Sequence, residues 1–363
     1  MTIFIIITLL VASGGFFLKQ PQFGKEASGL RLERMKKSPN FVNNQFKNQI
    51  ETIQIQGGGG FFKIAKDFLF NKSERTRPKD IIPSKKFDLY NLKREENVFI
   101  WFGHSSYFIQ VDGKRFLIDP VLDGNASPVS FTTKSFAGTD PYSPEDIPEI
   151  DYLLITHDHW DHLDYETLQT IKPNVGRVIT GLGVGAHIEH WGYPEEKITE
   201  LDWGEKIILA DGYELTAETA RHFSGRAFNR NSTLWLSFVL KTPSKKIYIS
   251  GDGGYGPHFK QIGEKHGPFD LAFLECGQYN ETWKFIHMMP EETVQASIDL
   301  SSSRFVPIHW GKFSISLHDW DDPIERVTKE SKNRNANILH PVIGDKILLD
   351  SMTVTPEWWK GIK

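Results

Sequence analysis

Cysteine is nearly absent: the 363 residues hold one, Cys276. A single thiol excludes an intramolecular disulfide, a CxxC pair and any zinc finger built on paired cysteines, so a metal in this chain must sit on imidazole and carboxylate. Cys276 closes the run Leu271-Ala272-Phe273-Leu274-Glu275-Cys276, which reads as a buried strand with an inert thiol. An excess of one charge is missing too, since 42 basic side chains meet 46 acidic ones for a formal net charge of −4. That balance counts against a dedicated nucleic-acid binder, which needs a basic surface, and no nucleic-acid partner is expected. Nothing points to disorder or collagen, and the length suits one large domain or two smaller ones. Histidine, by contrast, occurs 13 times.

Ile3 to Leu18 is apolar except for Thr8, Ser13 and Gly14-Gly15; no basic residue precedes it, and Lys19, Lys25, Arg31, Arg34, Lys36 and Lys37 follow. The run matches a signal-peptide core and falls slightly short of the ~20 residues that span a bilayer. Residues 1–19 are therefore read as a leader that engages a membrane, with the body held in the cytoplasm by the positive-inside bias. Cleavage after the small residues Val11-Ala12-Ser13, with export, is the alternative. Residues 20–97 form a polar N-terminal extension. Within it, segment 61–70 repeats Phe61, Ile64 or Ala65, and Phe68 or Leu69 at helical spacing, bordered by Lys63, Lys66 and Lys72. This predicts a helix that either docks on the main domain or lies in a lipid interface.

Residues 98–350 read as the main domain, with a tail over 351–363. Strands are predicted at Val98–Phe102, Tyr107–Val111, Arg115–Asp119, Tyr152–Thr156, Val178–Gly181, Lys206–Leu209, Glu214–Thr219, Leu234–Lys241, Lys246–Ser250, Asp270–Glu275, Phe305–Ile308 and Ile347–Leu349. Helices are predicted at Asp164–Ile171, Gly185–Trp191, Gly256–His266 and Pro290–Leu300. The economical packing is α/β, two mixed sheets with helices outside.

One segment carries most of the chemistry. A continuously apolar strand ends at Thr156, and His157, His159, Asp161 and His162 follow within six residues. In a turn leaving a strand, the first two can point one way while the last two face a neighbouring point, which suits two cations side by side. Three more strand ends run into His222, Asp252 and His309. His157, His159 and His222 are assigned to one metal and Asp161, His162 and His309 to the other. Asp252 bridges them, because a carboxylate can hold two ions ~3.5–4 Å apart. Two Zn2+ ions are expected, with iron or manganese also compatible. His104 is expected to orient a ligand through its second ring nitrogen. His187 and His190, at i and i+3, are read as ordinary helix surface. Gly251-Asp252-Gly253-Gly254 lacks the Gly-Lys-Ser/Thr ending of a phosphate loop and is read as the turn of the bridging ligand.

With these residues in place, the chain resembles the metallo-β-lactamase superfamily hydrolases, whose HxHxDH motif matches His157–His162. Within that superfamily it is similar to the N-acyl-phosphatidylethanolamine-hydrolysing phospholipase D-like group. The similarity runs through Phe102-Gly103-His104-Ser105-Ser106, Ile118-Asp119-Pro120, Gly251-Asp252-Gly253-Gly254-Tyr255, His287 with Pro290-Glu291-Glu292, and Pro307-Ile308-His309-Trp310-Gly311. It spans about residue 30 to near the C-terminus. The resemblance implies an αββα sandwich and a di-zinc phosphodiesterase acting on a phospholipid through a metal-bridging hydroxide, with Asp161 orienting the nucleophile. It also implies that His287 is an acid or phosphate contact, that Asp119 supports a ligand, and that the assembly is a homodimer. Sugar-lactone hydrolases of the ascorbate-lactonase type share several of these stretches, and the loop Val129–Pro144 differs from the longer basic loop of the animal lipid enzymes. A lactone or other small-ester hydrolase is thus the second expectation; a nuclease and a non-catalytic zinc-stabilised membrane scaffold follow.

Overall fold

The computed structural model describes residues 14–56, 60–226 and 229–363. Most of the predicted leader, residues 1–13, lies outside the described residues. Among the described residues no helix is long and apolar enough to cross a membrane.

Fifteen strands and seven α-helices are assigned among the described residues. After helix α1 (Gly29–Met35) comes a small hairpin, β1 (Phe41–Val42) and β2 (Gln45–Phe46). Its two-residue turn, Asn43-Asn44, has φ of 53° and 58°, a conformation that asparagine tolerates and a tight hairpin requires. Helix α2 (Gly60–Phe70) precedes β3 (Val98–Trp101), β4 (Tyr107–Val111), β5 (Lys114–Ile118) and β6 (Ile150–Ile155). Then come α3 (Tyr165–Ile171), β7 (Val175–Gly181), α4 (Gly185–His190) and β8 (Ile198–Leu201). The second half runs β9 (Lys206–Ala210), β10 (Tyr213–Glu218), β11 (Ser237–Lys241), β12 (Lys246–Ile249), α5 (His258–His266), β13 (Leu271–Glu275), α6 (Pro290–Asp299), β14 (Phe305–Ile308), α7 (Asp322–Arg334) and β15 (Lys346–Leu348).

The strands form two large mixed sheets, ordered β15-β3-β4-β5-β6-β7-β8 and β14-β13-β12-β11-β10-β9. In the first, β5 to β8 pair in parallel; in the second, β12 to β14 do. Alternation along β3 separates the two faces. Phe99 and Trp101 enter the core between the sheets with Phe238, Ile249 and Phe273, whereas Val98 and Ile100 join Leu168, Ile171 and Ile188 under the helices. Both faces are covered, so these strands are apolar throughout. The resulting αββα sandwich is the expected fold. Parallel strands also bring their carboxyl ends to one rim, where open α/β sheets bind ligands.

Several elements differ from the sequence expectation. β8 and α7 were not anticipated. The strand expected from Leu234 starts only at Ser237, because Leu234 donates to Leu182 O and Leu236 to Thr156 O, across to the other sheet's loops. The tail over 351–363 is anchored through Trp359, which is 1% exposed and whose indole donates to Glu325 Oε1 at 2.6 Å. The N-terminal extension is built in as well, with Met35 and Phe46 buried beside Leu182, Leu234 and Trp235. Helix α2 docks through Phe68, stacked 6.4 Å from Trp283, and through Lys63, which donates to Thr282 Oγ1 at 3.0 Å.

Candidate metal centre

Thr156 follows β6, and its N–H and hydroxyl both bond Asp119, at 2.8 and 2.6 Å, so the carboxylate just past β5 anchors the start of the histidine loop. The loop ends at Asp164, which caps α3 by accepting from Thr167 N–H at 2.8 Å. Between these anchors, His157 and His162 are buried while His159 and Asp161 are half-buried at the cavity wall. His157 Nε2 lies 2.9 Å from His159 Nδ1, and His222 Nε2 lies 3.3 Å from the same atom. A tetrahedral ion with ligands at ~2.05 Å sets neighbouring ligand atoms roughly 3.3 Å apart. Two facing ring nitrogens share at most one proton, whereas a cation at the centre satisfies all three lone pairs.

Next to this tripod, one ligand atom each from His104, Asp161, His162 and His309 lie within 4.8 Å of one another, as do those of His157, His162 and Asp252. The Asp252 carboxylate reaches both groups: Oδ2 is 3.1 Å from His162 Nε2 and 3.9 Å from both His157 Nε2 and His222 Nε2, while Oδ1 is 3.1 Å from His309 Nδ1. His162 Nε2 and Asp252 Oδ1 are nonetheless buried without a hydrogen-bond partner. Close approach without hydrogen-bond geometry is what atoms arranged about a common cation show, and buried polar atoms are rarely left unpaired otherwise. The residues present therefore fit a pair of cations, and an imidazole and carboxylate donor set suits zinc, iron or manganese.

The backbone is held in uncommon conformations here. His104, Asp119 and His309 have φ of 52°, 40° and 68°. Such strain collects at functional sites where the surroundings enforce it. The enforcement is mutual: His104 N–H donates to Trp310 O and His309 N–H to His104 O, each at 3.0 Å. Burial, then the neighbouring imidazoles, hold His157, His222 and His309 well below the usual histidine range, so their lone pairs are free for a metal. At His162 burial acts the same way but is outweighed by Asp252, Asp161 and Asp119, which raise it well above that range.

The supporting residues fall into place around this core. Asp119 accepts from His162 Nδ1 at 2.8 Å, leaving Nε2 toward the centre. His104 Nε2 meets Asp161 Oδ2 at 2.9 Å, and its ligand atom groups with those of Asp161, His162 and His309. His222 Nδ1 is engaged by Ile286 O at 2.8 Å. His287 lies against the same cluster, its ring stacked 5.2 Å from His309.

Sequence reasoning missed three groups. Ser105 Oγ lies 3.0 Å from His309 Nδ1. Glu275 sits under His287, and its only signal was a charge closing an apolar strand. The third correction concerns His187, read as helix surface. It is buried, its Nδ1 accepts from Lys25 N–H at 3.0 Å, and its Nε2 lies 3.4 Å from Asp158 Oδ2. The cause is non-local: residues 21–25 cross over α4, with Trp191 donating to Pro21 O and Arg226 to Gln22 O. His190 is exposed, as expected.

A cavity of about 390 Å³ opens onto His159, Asp161, Asp252 and His309. Its other walls are mainly apolar, among them Phe68, Trp160, Phe223, Trp283 and Ile286, with Arg230 as the cation.

Comparison with known proteins agrees with this architecture. A family profile described as Beta-lactamase superfamily domain matches residues 114–310. An uncharacterised protein of Mycobacterium tuberculosis is 34% identical over 341 residues, 93% of this chain and 91% of the relative. The N-acyl-phosphatidylethanolamine-hydrolyzing phospholipase D 1 of Caenorhabditis elegans is 30% identical over 300 residues, 76% of this chain and 83% of that protein. Among solved structures, Igni18, a metallo hydrolase from Ignicoccus hospitalis, superposes with a TM-score of 0.54 at 21% identity, covering 69% of this chain and 97% of that one. Since the profile spans more than half of the sequence and the mycobacterial likeness nearly all of it, the chain belongs to the metallo-β-lactamase superfamily and is a metal-dependent hydrolase.

Proposed function

We propose that this hydrolase is a phosphodiesterase of the phospholipase D type, acting on N-acyl-phosphatidylethanolamine-like lipids with two divalent cations, zinc in the first instance. The observation that carries the reading is the cavity, whose apolar walls suit an acyl chain and whose Arg230 suits a phosphate, directly above the two ligand groups. The likeness to the worm enzyme supports it.

Two divalent cations, when bound, polarise phosphoryl oxygens and make water acidic enough to attack near neutral pH. The protein's own groups do the rest. His157, His159 and His222 would hold one cation and Asp161, His162 and His309 the other, with the Asp252 carboxylate within reach of both groups. Asp161, half-buried at the cavity wall and tied to His104, orients the attacking water. Arg230 draws in the phosphate, and the aromatic walls exclude solvent from the reacting phosphorus. Contact with a lipid surface fits the same reading. Leu69, Phe70 and Phe131 are 74%, 76% and 77% exposed, each within two residues of the cavity-lining Phe68 or Thr133.

The test is turnover by the purified, metal-loaded full chain of N-acyl-phosphatidylethanolamine, bis(p-nitrophenyl) phosphate and a panel of lactones. Release of N-acylethanolamine and phosphatidic acid is expected. Lactone turnover without phosphodiester cleavage overturns the reading in favour of an ester hydrolase.

A further inference from the structure

His222 lies beyond the end of β10, past the last pair of the ladder with β11, Glu218 with Ser237. It is 0% exposed, so its peptide N–H and C=O need partners that the sheet no longer supplies. Both come from one side chain 174 residues away: Asn48 Oδ1 accepts from His222 N–H at 3.1 Å, and Asn48 Nδ2 donates to His222 O at 2.8 Å. A side-chain amide carries the donor and acceptor of a peptide group, so Asn48 stands in for a neighbouring strand. Its Oδ1 also accepts from Trp235 Nε1 at 3.2 Å. Two N–H donors on one side and a carbonyl on the other allow a single orientation of the amide.

The clamp takes in the residue before His222. Arg221 donates through Nε to Thr52 Oγ1 at 3.1 Å and through Nη2 to Glu51 O at 3.0 Å. Asn48 is itself rooted beside Phe46, which is buried in one cluster with Trp235 and whose N–H donates to Asn231 O at 2.8 Å. At the far end of the ligand, Ile286 O holds His222 Nδ1 at 2.8 Å. The ring is thus pinned at its backbone and at Nδ1, with Nε2 left facing His159. A metal ligand has to be held within about 0.5 Å of its working position, which is what such double pinning does.

We propose that Asn48 is a positioning residue for the metal centre: from the N-terminal extension it holds the backbone of His222 and so keeps Nε2 on the ion shared with His157 and His159. The role rests on His222 being a ligand of that ion. It makes the extension answerable for one metal position as well as for the cavity wall, which the same segment reaches at Gln54 and Ile55.

The test compares Asn48→Ala, Asn48→Asp, His222→Ala and the double variant Asn48→Ala with His222→Ala in the full chain. Zn2+ affinity is read by competition with chelators, and the coordination by the visible absorption of Co2+ loaded in its place. Asn48→Ala should weaken one ion about 10–100-fold, the same ion that His222→Ala weakens. Asn48→Asp keeps the shape but sets a second oxygen against the carbonyl of His222, so the same ion should weaken at least about tenfold. The Co2+ absorption of that ion should change in both, which a general loss of stability does not produce. The double variant should bind within about threefold of His222→Ala alone, and a further tenfold loss overturns the proposal, because a packing defect acts without the imidazole. Affinities of Asn48→Ala within about twofold of the unmutated chain overturn it as well. If His222→Ala keeps both ions as tightly as the unmutated chain, the ligand assignment falls and the role of Asn48 with it. If His222→Ala loses an ion that Asn48→Ala retains, only the role of Asn48 falls. Should the Asn48 variants fail to fold, the unmutated metal-free chain decides: amide exchange at His222 should be slowed at least about 10²-fold relative to an open loop, and exchange at the open-loop rate refutes the clamp.

Discussion

Asp119→Asn tests whether the centre depends on a carboxylate that lies one residue beyond the proposed ligands. Asp119 accepts three bonds: Thr156 N–H at 2.8 Å on Oδ1, and Thr156 Oγ1–H at 2.6 Å and His162 Nδ1 at 2.8 Å on Oδ2. Asparagine keeps the shape but has one acceptor oxygen. If its amide nitrogen takes the Oδ2 place, two donors face each other at His162, whose proton must move to Nε2, the nitrogen needed for the metal. If the nitrogen takes the Oδ1 place, the buried N–H of Thr156 at the root of the histidine loop goes unsatisfied, at about 1–3 kcal/mol. Either rotamer weakens the His162 position. Loss of such supporting bonds typically lowers metal affinity ~10–100-fold, or about 1.4–2.8 kcal/mol. Competition titration against a graded chelator series, with metal content per chain after dialysis, reads the affinity. The metal-free variant should also unfold at lower denaturant concentration. Affinity within twofold of the unmutated protein would refute the argument that Asp119 sets the tautomer of His162.

Asp252→Ala should remove at least one of two metal ions per chain by elemental analysis, since its carboxylate reaches both ligand groups; full retention of both would sink the bridging role. Arg226→Met should destabilise the fold by about 3 kcal/mol and speed tryptic cleavage after Lys25. Its buried guanidinium donates to Asp158 O, Leu163 O and Gln22 O, holding the histidine loop and the N-terminal crossing together. His258 carries a pH dependence, because burial, then Arg221, pull its pKa down to about 3 from the ordinary 6.5. Between those values the unfolded chain binds the extra proton, so stability rises with pH across the window and falls on acidification, by at most about 1.4 kcal/mol per pH unit. Chemical denaturation from pH 6 to pH 4 should show a shallower slope in His258→Gln, and an identical slope would exclude this source.

The candidate metal-binding cluster was legible because its densest part is local. An apolar run such as Tyr152 to Ile155 reads as a strand buried on both faces, and four possible donors within six residues of its end stand out against it. His222, Asp252 and His309 were legible for the same reason, each following a strand that its own apolar pattern defines. Glu275 was not, since a charge closing an apolar strand carries no message until His287, twelve positions on, turns back over it. His187 was misread because what covers it, the segment from Pro21 to Lys25, is 162 residues away in sequence at its hydrogen bond.

By itself, then, the sequence made most strands of the two sheets legible and gathered the candidate donors at their ends, because hydrophobic period and residue chemistry act over a few residues. Only the tertiary structure decided that both sheets present the carboxyl ends of their parallel strands at one rim, where Asp252 spans the two groups. It alone placed Glu275 under His287 and laid the N-terminal segment over α4. Those arrangements come from pairing between distant strands and crossings, and hydrophobic burial, being non-directional, does not write such pairings into any local pattern.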